Sequence, residues 1–143
     1  MELIVKSFQQ LTTQELFEIY KVRTAVFVVE QNCPYQDVDD TDLSALHLFL
    51  RGETGIKAYL RVFEKDARTA HIGRVLTMER GSGYGAEILK AGIRAARELL
   101  KKDAIYLEAQ SYATGFYERE GFCVISDEFL EDGIPHVQMI LDD

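Results

Sequence analysis

The sequence predicts an α+β fold in which a mixed, mostly antiparallel sheet is flanked by helices. Three observations lead there. Hydrophobic periodicity gives the order strand, helix, three strands, helix, strand, helix, two strands. Strands that run together, with helices before and after them, suit a mixed sheet better than a doubly wound one. A glycine-rich turn, Arg80-Gly81-Ser82-Gly83-Tyr84-Gly85, joins the run of strands to the second long helix in mid-chain, not at the start of a βαβ unit. A length of 143 residues, with 47% hydrophobic and 28% charged side chains, indicates a single domain over residues 1–143. A chain of that size buries about two-thirds of its unfolded surface.

Leu3 to Phe8 reads as the first strand. Thr12 and Glu15 form a capping box that starts a helix with an apolar stripe at Leu16, Ile19, Tyr20, Val26 and Phe27. At 3.6 residues per turn Arg23 and Glu30 fall on that same face. Charges on a face meant for burial are costly unless paired or used, so both are expected either to pair at the edge of the core or to line a cleft. Pro34 closes the helix within Gln31–Tyr35. The acidic run from Asp37 to Asp42 is no calcium loop, because Asp42 stands where glycine is required and Leu48 where glutamate is.

Ala45–Arg51 and Ile56–Glu64 read as a hairpin around Gly52–Gly55. Alternation puts His47, Phe49 and Arg51 on one face of their strand, Tyr59, Arg61 and Phe63 on one face of the next, and Ile72, Arg74 and Leu76 on one face of the third. His47, Arg61 and Arg74 together suggest a polar patch built into the sheet. Ala86 to Lys102 reads as a helix burying Ile88, Leu89, Gly92, Ala96 and Leu99. Gly92 costs about 1 kcal/mol relative to alanine there, which predicts close packing against the sheet. Ala104–Gln110 follows as a strand, with Ile105, Leu107 and Ala109 inward and Glu108 and Gln110 on the other face. Thr114–Glu120 is a short helix ended by Gly121. Phe122–Ser126 and Ile134–Leu141 close the chain as strands linked through Asp127–Gly133.

A net charge of −8 argues against a nucleic-acid partner. No run of about 18 apolar residues exists to span a membrane, and the N-terminus lacks the basic and apolar regions of a signal peptide. Cys33 and Cys123 have no metal-ligand spacing and make no disulfide framework. A reduced, cytoplasmic setting is expected, with no metal.

The glycine turn is a device for holding phosphate. Glycines admit the backbone close to a ligand, the first helical amides point at the anion, and Arg80 adds a planar cation. The P-loop pattern fails because no Lys-Ser or Lys-Thr follows. Gly81, Gly83 and Ala86 satisfy a dinucleotide pattern, which the strand order demotes. Arg80, Gly83 and Gly85 satisfy R-x-x-G-x-G, which resembles the pyrophosphate loop of the GCN5-related N-acetyltransferases (GNAT). Phe116-Tyr117-Glu118-Arg119-Glu120-Gly121-Phe122 is similar to that superfamily's FYxxxGF signature. Val26–Gln31, Cys33-Pro34-Tyr35, Ile72–Val75, Ala109-Gln110 and Glu131–His136 resemble its ElaA-like members. One departure is Ser126-Asp127, where that pattern has a glycine.

The resemblance implies a GNAT-like acyl-CoA N-acyltransferase fold that uses acetyl-coenzyme A. It places the pantetheine arm on the backbone of Leu76, Thr77 and Met78, and the pyrophosphate on Arg80, Gly81, Ser82, Gly83, Tyr84 and Gly85. Tyr117 falls at the general acid for the departing thiolate. Glu30, His47, Glu108 and His136 are candidates for the base or for positioning the acceptor, and Arg23, Glu30, Arg61, Arg74 and Gln110 for binding it. The implied activity is acetyl transfer to a primary amine by direct attack on the thioester. A non-catalytic acyl-coenzyme A sensor or assembly module on the same fold is the alternative. It would keep Arg80–Gly85 but need neither Tyr117 nor an acceptor pocket. Two acidic segments, Asp37–Asp42 and Asp127–Asp132, flank the expected acceptor entrance. They point to a small-molecule or peptide amine that is cationic in solution. A homodimer is left open.

Overall fold

The protein is described by a computed structural model covering residues 1–142. Eight strands form one sheet: β1 (Glu2–Ser7), β2 (Leu46–Gly52), β3 (Gly55–Glu64), β4 (Thr69–Thr77), β5 (Ala104–Gln110), β6 (Cys123–Val124), β7 (Phe129–Glu131) and β8 (Ile134–Asp142). Their order is β1-β2-β3-β4-β5-β8-β6, with β7 also paired to β8. Every pairing is antiparallel except β4 with β5. A parallel pair needs a crossover, and α2 (Tyr84–Glu98) supplies it.

The sheet separates two apolar layers. One face carries Leu48, Leu50, Leu60, Val62 and Ile72 under Ile88, Leu89 and Ala96 of α2. Gly92 fits the predicted close approach, since a Cβ there would stand 2.8 Å from Leu60 Cδ2. The other face carries Phe49, Tyr59 and Leu76 under Ile19 of α1 (Thr13–Arg23). The Thr12–Glu15 capping box that opens α1 is formed as expected. On β5, Ile105, Leu107 and Ala109 are buried, in line with the alternation.

Three local features depart from the sequence reading. From Thr24 to Glu30 the chain continues α1 as a π-helical segment. A wider turn carries more residues per revolution than 3.6, so the face shared by Arg23 and Glu30 is lost. Arg23 is fully buried and Glu30 is exposed. In β4, Arg61 pairs with Gly73 but Tyr59 pairs with Leu76, so β4 holds one extra residue. This bulge, with Arg74 at φ +53°, turns the strand over. Ile72 therefore faces α2 and Leu76 faces α1, instead of sharing one face. Finally, β7 and β8 form a two-residue hairpin whose Asp132 and Gly133 both have positive φ, as a type I′ turn requires. Where the expected glycine is missing, Ser126 Oγ accepts the Gln138 amide at 2.8 Å.

Candidate active site

β4 and β5 pair over only three residues, Thr69–His71 against Ala104–Tyr106. Beyond that point β4 stays bonded to β3 as far as Thr77, and β5 to β8 as far as Gln110. The sheet splits there, leaving two facing backbone edges with no ladder partner. Buried backbone groups need hydrogen-bond partners, so an open edge of this kind is a place for an extended, amide-bearing ligand. The split opens a cavity of about 810 Å³, walled by Leu76 and Thr77 on one side and by Leu107, Glu108 and Gln110 on the other.

At one end of the cavity β4 runs into the glycine turn. Gly81 and Gly83 have φ of +76° and +84°, and a Cβ on either would meet no atom within 4 Å. Their constraint is thus backbone conformation with open space in front, the shape of a cradle for an anion. Gly83 caps α2 with no side chain. The Gly85 and Ala86 amides have no hydrogen bond to the described residues. Uncapped amides and the helix dipole favour negative charge there. Gly85 has a packing role besides, since a Cβ there would lie 3.1 Å from Thr77 Cγ2. Arg80 is exposed and forms an ion pair with Glu30 from the end of the π-helical segment. Met78 and Tyr84 do not wall the cavity, and the Met78 amide already donates to the Lys57 carbonyl at 2.9 Å.

Tyr117 lies in α3 (Thr114–Glu118) on the cavity wall, edge-on to Phe116 and Phe122 at 5.0 and 6.1 Å. Burial pushes its phenol above the ordinary tyrosine range. It is therefore an O–H group at neutral pH.

The other end of the cavity is lined by Glu108, Gln110, Glu131, Asp132, His136, His71, Arg61 and Arg74. Tyr106 donates its hydroxyl to Glu108 Oε2 at 2.7 Å, and Glu108 and Glu131, both on the cavity wall, perturb each other's protonation. His136 Nδ1 donates to the Ile134 carbonyl at 2.7 Å, which leaves Nε2 facing Glu131 Oε2 at 3.5 Å. Gln110 donates to Gln31 Oε1 at 3.2 Å across the cleft. His71 sits between the rings of Phe63 and Tyr106, and burial lowers its pKa to about 4.

Besides Met78 and Tyr84, three of the expected site residues, His47, Arg23 and Glu30, lie off the cavity wall. His47 is fully buried; its Nε2 meets the Asp42 carbonyl at 2.9 Å and its Nδ1 accepts from the Tyr59 hydroxyl at 2.6 Å. With both nitrogens engaged, and burial lowering its pKa, it is not placed to act as the base. Arg23 donates to Asp37 Oδ2 at 2.9 Å, to Asp42 Oδ1 at 2.7 Å and to the Asp37 carbonyl at 2.7 Å, and its full burial off the cavity wall keeps it from an acceptor molecule. Glu30 is not on the wall either and pairs with Arg80. Arg61 and Arg74 do line the cavity, but both also bind the acidic run. Arg61 Nη1 lies 2.6 Å from Asp39 and 2.9 Å from Asp42, and Arg74 Nε lies 2.9 Å from Asp37. Asp37, Asp39 and Asp42 are thus matched by three guanidiniums and do not form half of an open negative mouth. Glu131 and His71 also stand on the wall, beyond the candidate bases expected from the sequence. The Asp132-Gly133 dipeptide, a hairpin signal, marked where Glu131 would stand.

A sheet split beside a glycine turn, with helices on both faces, defines an acyl-coenzyme A N-acyltransferase fold. The chain belongs to the GNAT acetyltransferases: the acetyltransferase (GNAT) domain matches residues 9–142. It is 41% identical to a UPF0039 protein of Schizosaccharomyces pombe, over 99% of this chain and 97% of that one. It is 35% identical to the protein ElaA of Escherichia coli, over 91% and 89%. Among solved structures it is similar to E. coli ElaA, with a TM-score of 0.92 at 32% identity, over 99% of both chains. It is equally similar to an acyl-CoA N-acyltransferase from Pseudomonas aeruginosa, with a TM-score of 0.91 at 35% identity, over 98% and 99%.

Proposed function

We propose that the protein transfers an acetyl group from acetyl-coenzyme A to a primary amine by direct attack on the thioester. The observation that carries this reading is the open β4 edge leading into the uncapped glycine turn. An extended amide arm and a pyrophosphate call for those two features in that order. The residues fit the group. Leu76 and Thr77 would meet the pantetheine arm through their backbone. Gly81, Gly83, Gly85 and Ala86 would hold the pyrophosphate through amides, and Arg80 through its guanidinium once Glu30 yields it. Acetyl-coenzyme A supplies the thioester, with its thiolate as leaving group. Tyr117, whose hydroxyl has no partner among the described residues, is the acid that protonates that thiolate. The far end of the cavity, with Glu108, Glu131 and Gln110, receives the amine. The name of the P. aeruginosa relative, an acyl-CoA N-acyltransferase, agrees with this chemistry.

The test is thiol release from acetyl-coenzyme A across a panel of primary amines, run beside calorimetric binding of coenzyme A. Amine-dependent release is expected. Binding without amine-dependent release would replace the enzyme with an acyl-coenzyme A binding module.

A further inference from the structure

Two carboxyls from strands on either side of β8, Glu108 of β5 and Glu131 of β7, stand on the wall of the open cleft. Phe129 of β7 lies opposite His136 of β8, and His136 lies opposite Gln110 of β5. Directly opposed residues share a face, and so do residues two apart along a strand. Glu131 and Glu108 therefore project from the same face, on the wall of the open cleft. The type I′ turn at Asp132-Gly133 ends β7 at Glu131. Cys33 Sγ lies 3.6 Å from the Asp132 carbonyl and ties that turn to the loop after the π-helical segment.

We propose that the Glu131 carboxylate is the proton acceptor for the incoming amine, with Glu108 as its positioning residue and the two together as the seat of a primary ammonium. The proposal rests on the acetyl-transfer reading and assigns a role that reading leaves open. A primary amine with a solution pKa near that of lysine, about 10.4, arrives charged. Two ionised carboxylates attract it, and their mutual repulsion is relieved when one of them takes its proton. Burial first, then the hydrogen bond and charge of Glu108, push Glu131 up to about 7. Burial raises Glu108 as well, but hydrogen bonds from Glu131 and Tyr106 hold it below the ordinary glutamate range. Tyr106 already donates to Glu108 Oε2 and favours its ionised form, so Glu131, beside His136 Nε2, is the carboxyl left to take a proton. The other charged or titratable groups facing the pair are Asp132 on the turn, His136 on β8, His71 and Arg74 on β4, Arg61 on β3, and Lys65 over the Tyr106 ring. His136 Nε2, whose partner nitrogen is held by Ile134, is placed to pass the proton onward to water.

The protons balance. One ammonium proton goes to Glu131 and then to water. The freed lone pair forms the C–N bond as the C–S bond breaks, and a second nitrogen-bound proton ends on the thiolate through Tyr117. The sum is ammonium plus thioester to amide, thiol and one proton.

The experiment compares the parent, Glu131→Gln and Glu108→Gln. In the parent kcat/KM rises with pH through about 7 as Glu131 ionises. Glu131→Gln keeps the shape and loses the acceptor. It should lower kcat/KM at pH 7.5 by about 10²-fold and remove that limb, with coenzyme A affinity unchanged. Glu108→Gln removes the like charge, so the limb should move to lower pH, a shift that a merely structural role would not produce. A ¹³C carboxyl titration reads the pair without turnover. Glu131 should protonate near pH 7, and at lower pH once Glu108 is replaced. Glu131→Gln with the parent rate and limb overturns the proposal. So does a Glu131 carboxyl in the ordinary range that Glu108→Gln does not move. A parent that acetylates no amine overturns the acetyl-transfer reading instead, and with it the proton-acceptor role, while the titration still decides whether the pair exists.

Discussion

Replacing Arg23 with methionine tests whether the buried charges behind the cleft are structural. The Arg23 side chain is 0% exposed and holds two carboxylates that are 4% and 1% exposed. Removing one partner from a buried ion pair costs about 3–5 kcal/mol, because a desolvated charge is left behind. Here each carboxylate keeps a second guanidinium, Asp42 from Arg61 and Asp37 from Arg74, so the lower end applies, about 3 kcal/mol. With a urea m-value on the order of 2 kcal/mol per M, the midpoint should fall by about 1.5 M. The gap should also depend on pH. Burial raises Asp42, but its hydrogen bonds and charge contacts with Arg23 and Arg61 outweigh that and hold it below the usual aspartate value of 3.8. A depressed carboxylate adds stability that is present above its unfolded pKa and lost as pH falls through the folded one. The difference between parent and variant should therefore be full at pH 7 and shrink below about pH 4. Should the methionine variant not fold, Arg23→Lys keeps the charge but not the fork, and an intermediate loss is expected. A midpoint shift below about 0.5 M, with a tenfold rise in KM for the amine, would refute the structural role and return Arg23 to the acceptor site.

Three further substitutions probe the cleft and the packing of α2 on the sheet. Gly83→Val puts a β-branched residue at φ +84° in the cradle and should abolish coenzyme A binding by calorimetry, while circular dichroism shows the fold retained. Tyr117→Phe should lower kcat by about 10²-fold with coenzyme A affinity unchanged; an unaltered kcat, with chemistry rate-limiting, makes water the donor. Gly92→Ala gains about 1 kcal/mol of helix propensity. Its Cβ, at 2.8 and 3.0 Å from the Leu60 methyls, brings overpacking of about 1–3 kcal/mol, so a Tm lower by about 3 °C is expected and a Tm rise would show that Leu60 relaxes freely.

The parts of the fold that were legible in the sequence are those coded locally. Thr12 and Glu15 satisfy each other across one helical turn, and Gly52 pairs with Gly55 at the end of a hairpin. Ile105, Leu107 and Ala109 alternate with residues that face the cleft. The illegible parts are insertions of a single residue into a regular pattern. Nothing in Thr24–Glu30 signals a wider turn, yet that turn decides that Arg23 is buried and Glu30 is not. In Ile72–Leu76 the one bulge signal is Gly73, which the apolar residues at the expected spacing on both sides outweigh. Arg74 is also not a residue that favours φ +53°. The role of the aspartates from Asp37 to Asp42 failed for a different reason. Charge is readable in a sequence, but its neutralisation by Arg23, Arg61 and Arg74, far away in the chain, is a tertiary fact.

Those same aspartates then explain how the cleft is kept in shape. Arg74 sits in the left-handed region at the bulge, a conformation that costs a non-glycine residue on the order of 1 kcal/mol. Asp37 holds it there through its carboxylate at 2.9 Å and its carbonyl at 3.0 Å, with the guanidinium 5.3 Å from the centre of the Tyr35 ring. The bulge is what turns Leu76 toward α1, in the stretch where β4 has left β5. A strand that turned over without such an anchor would be free to slip back into register with β3 and carry Leu76 to the opposite face. Arg61 and Arg74, on the cavity wall, thus also brace the cleft through the acidic run. They fix β4 where it has parted from β5 and borders the cleft.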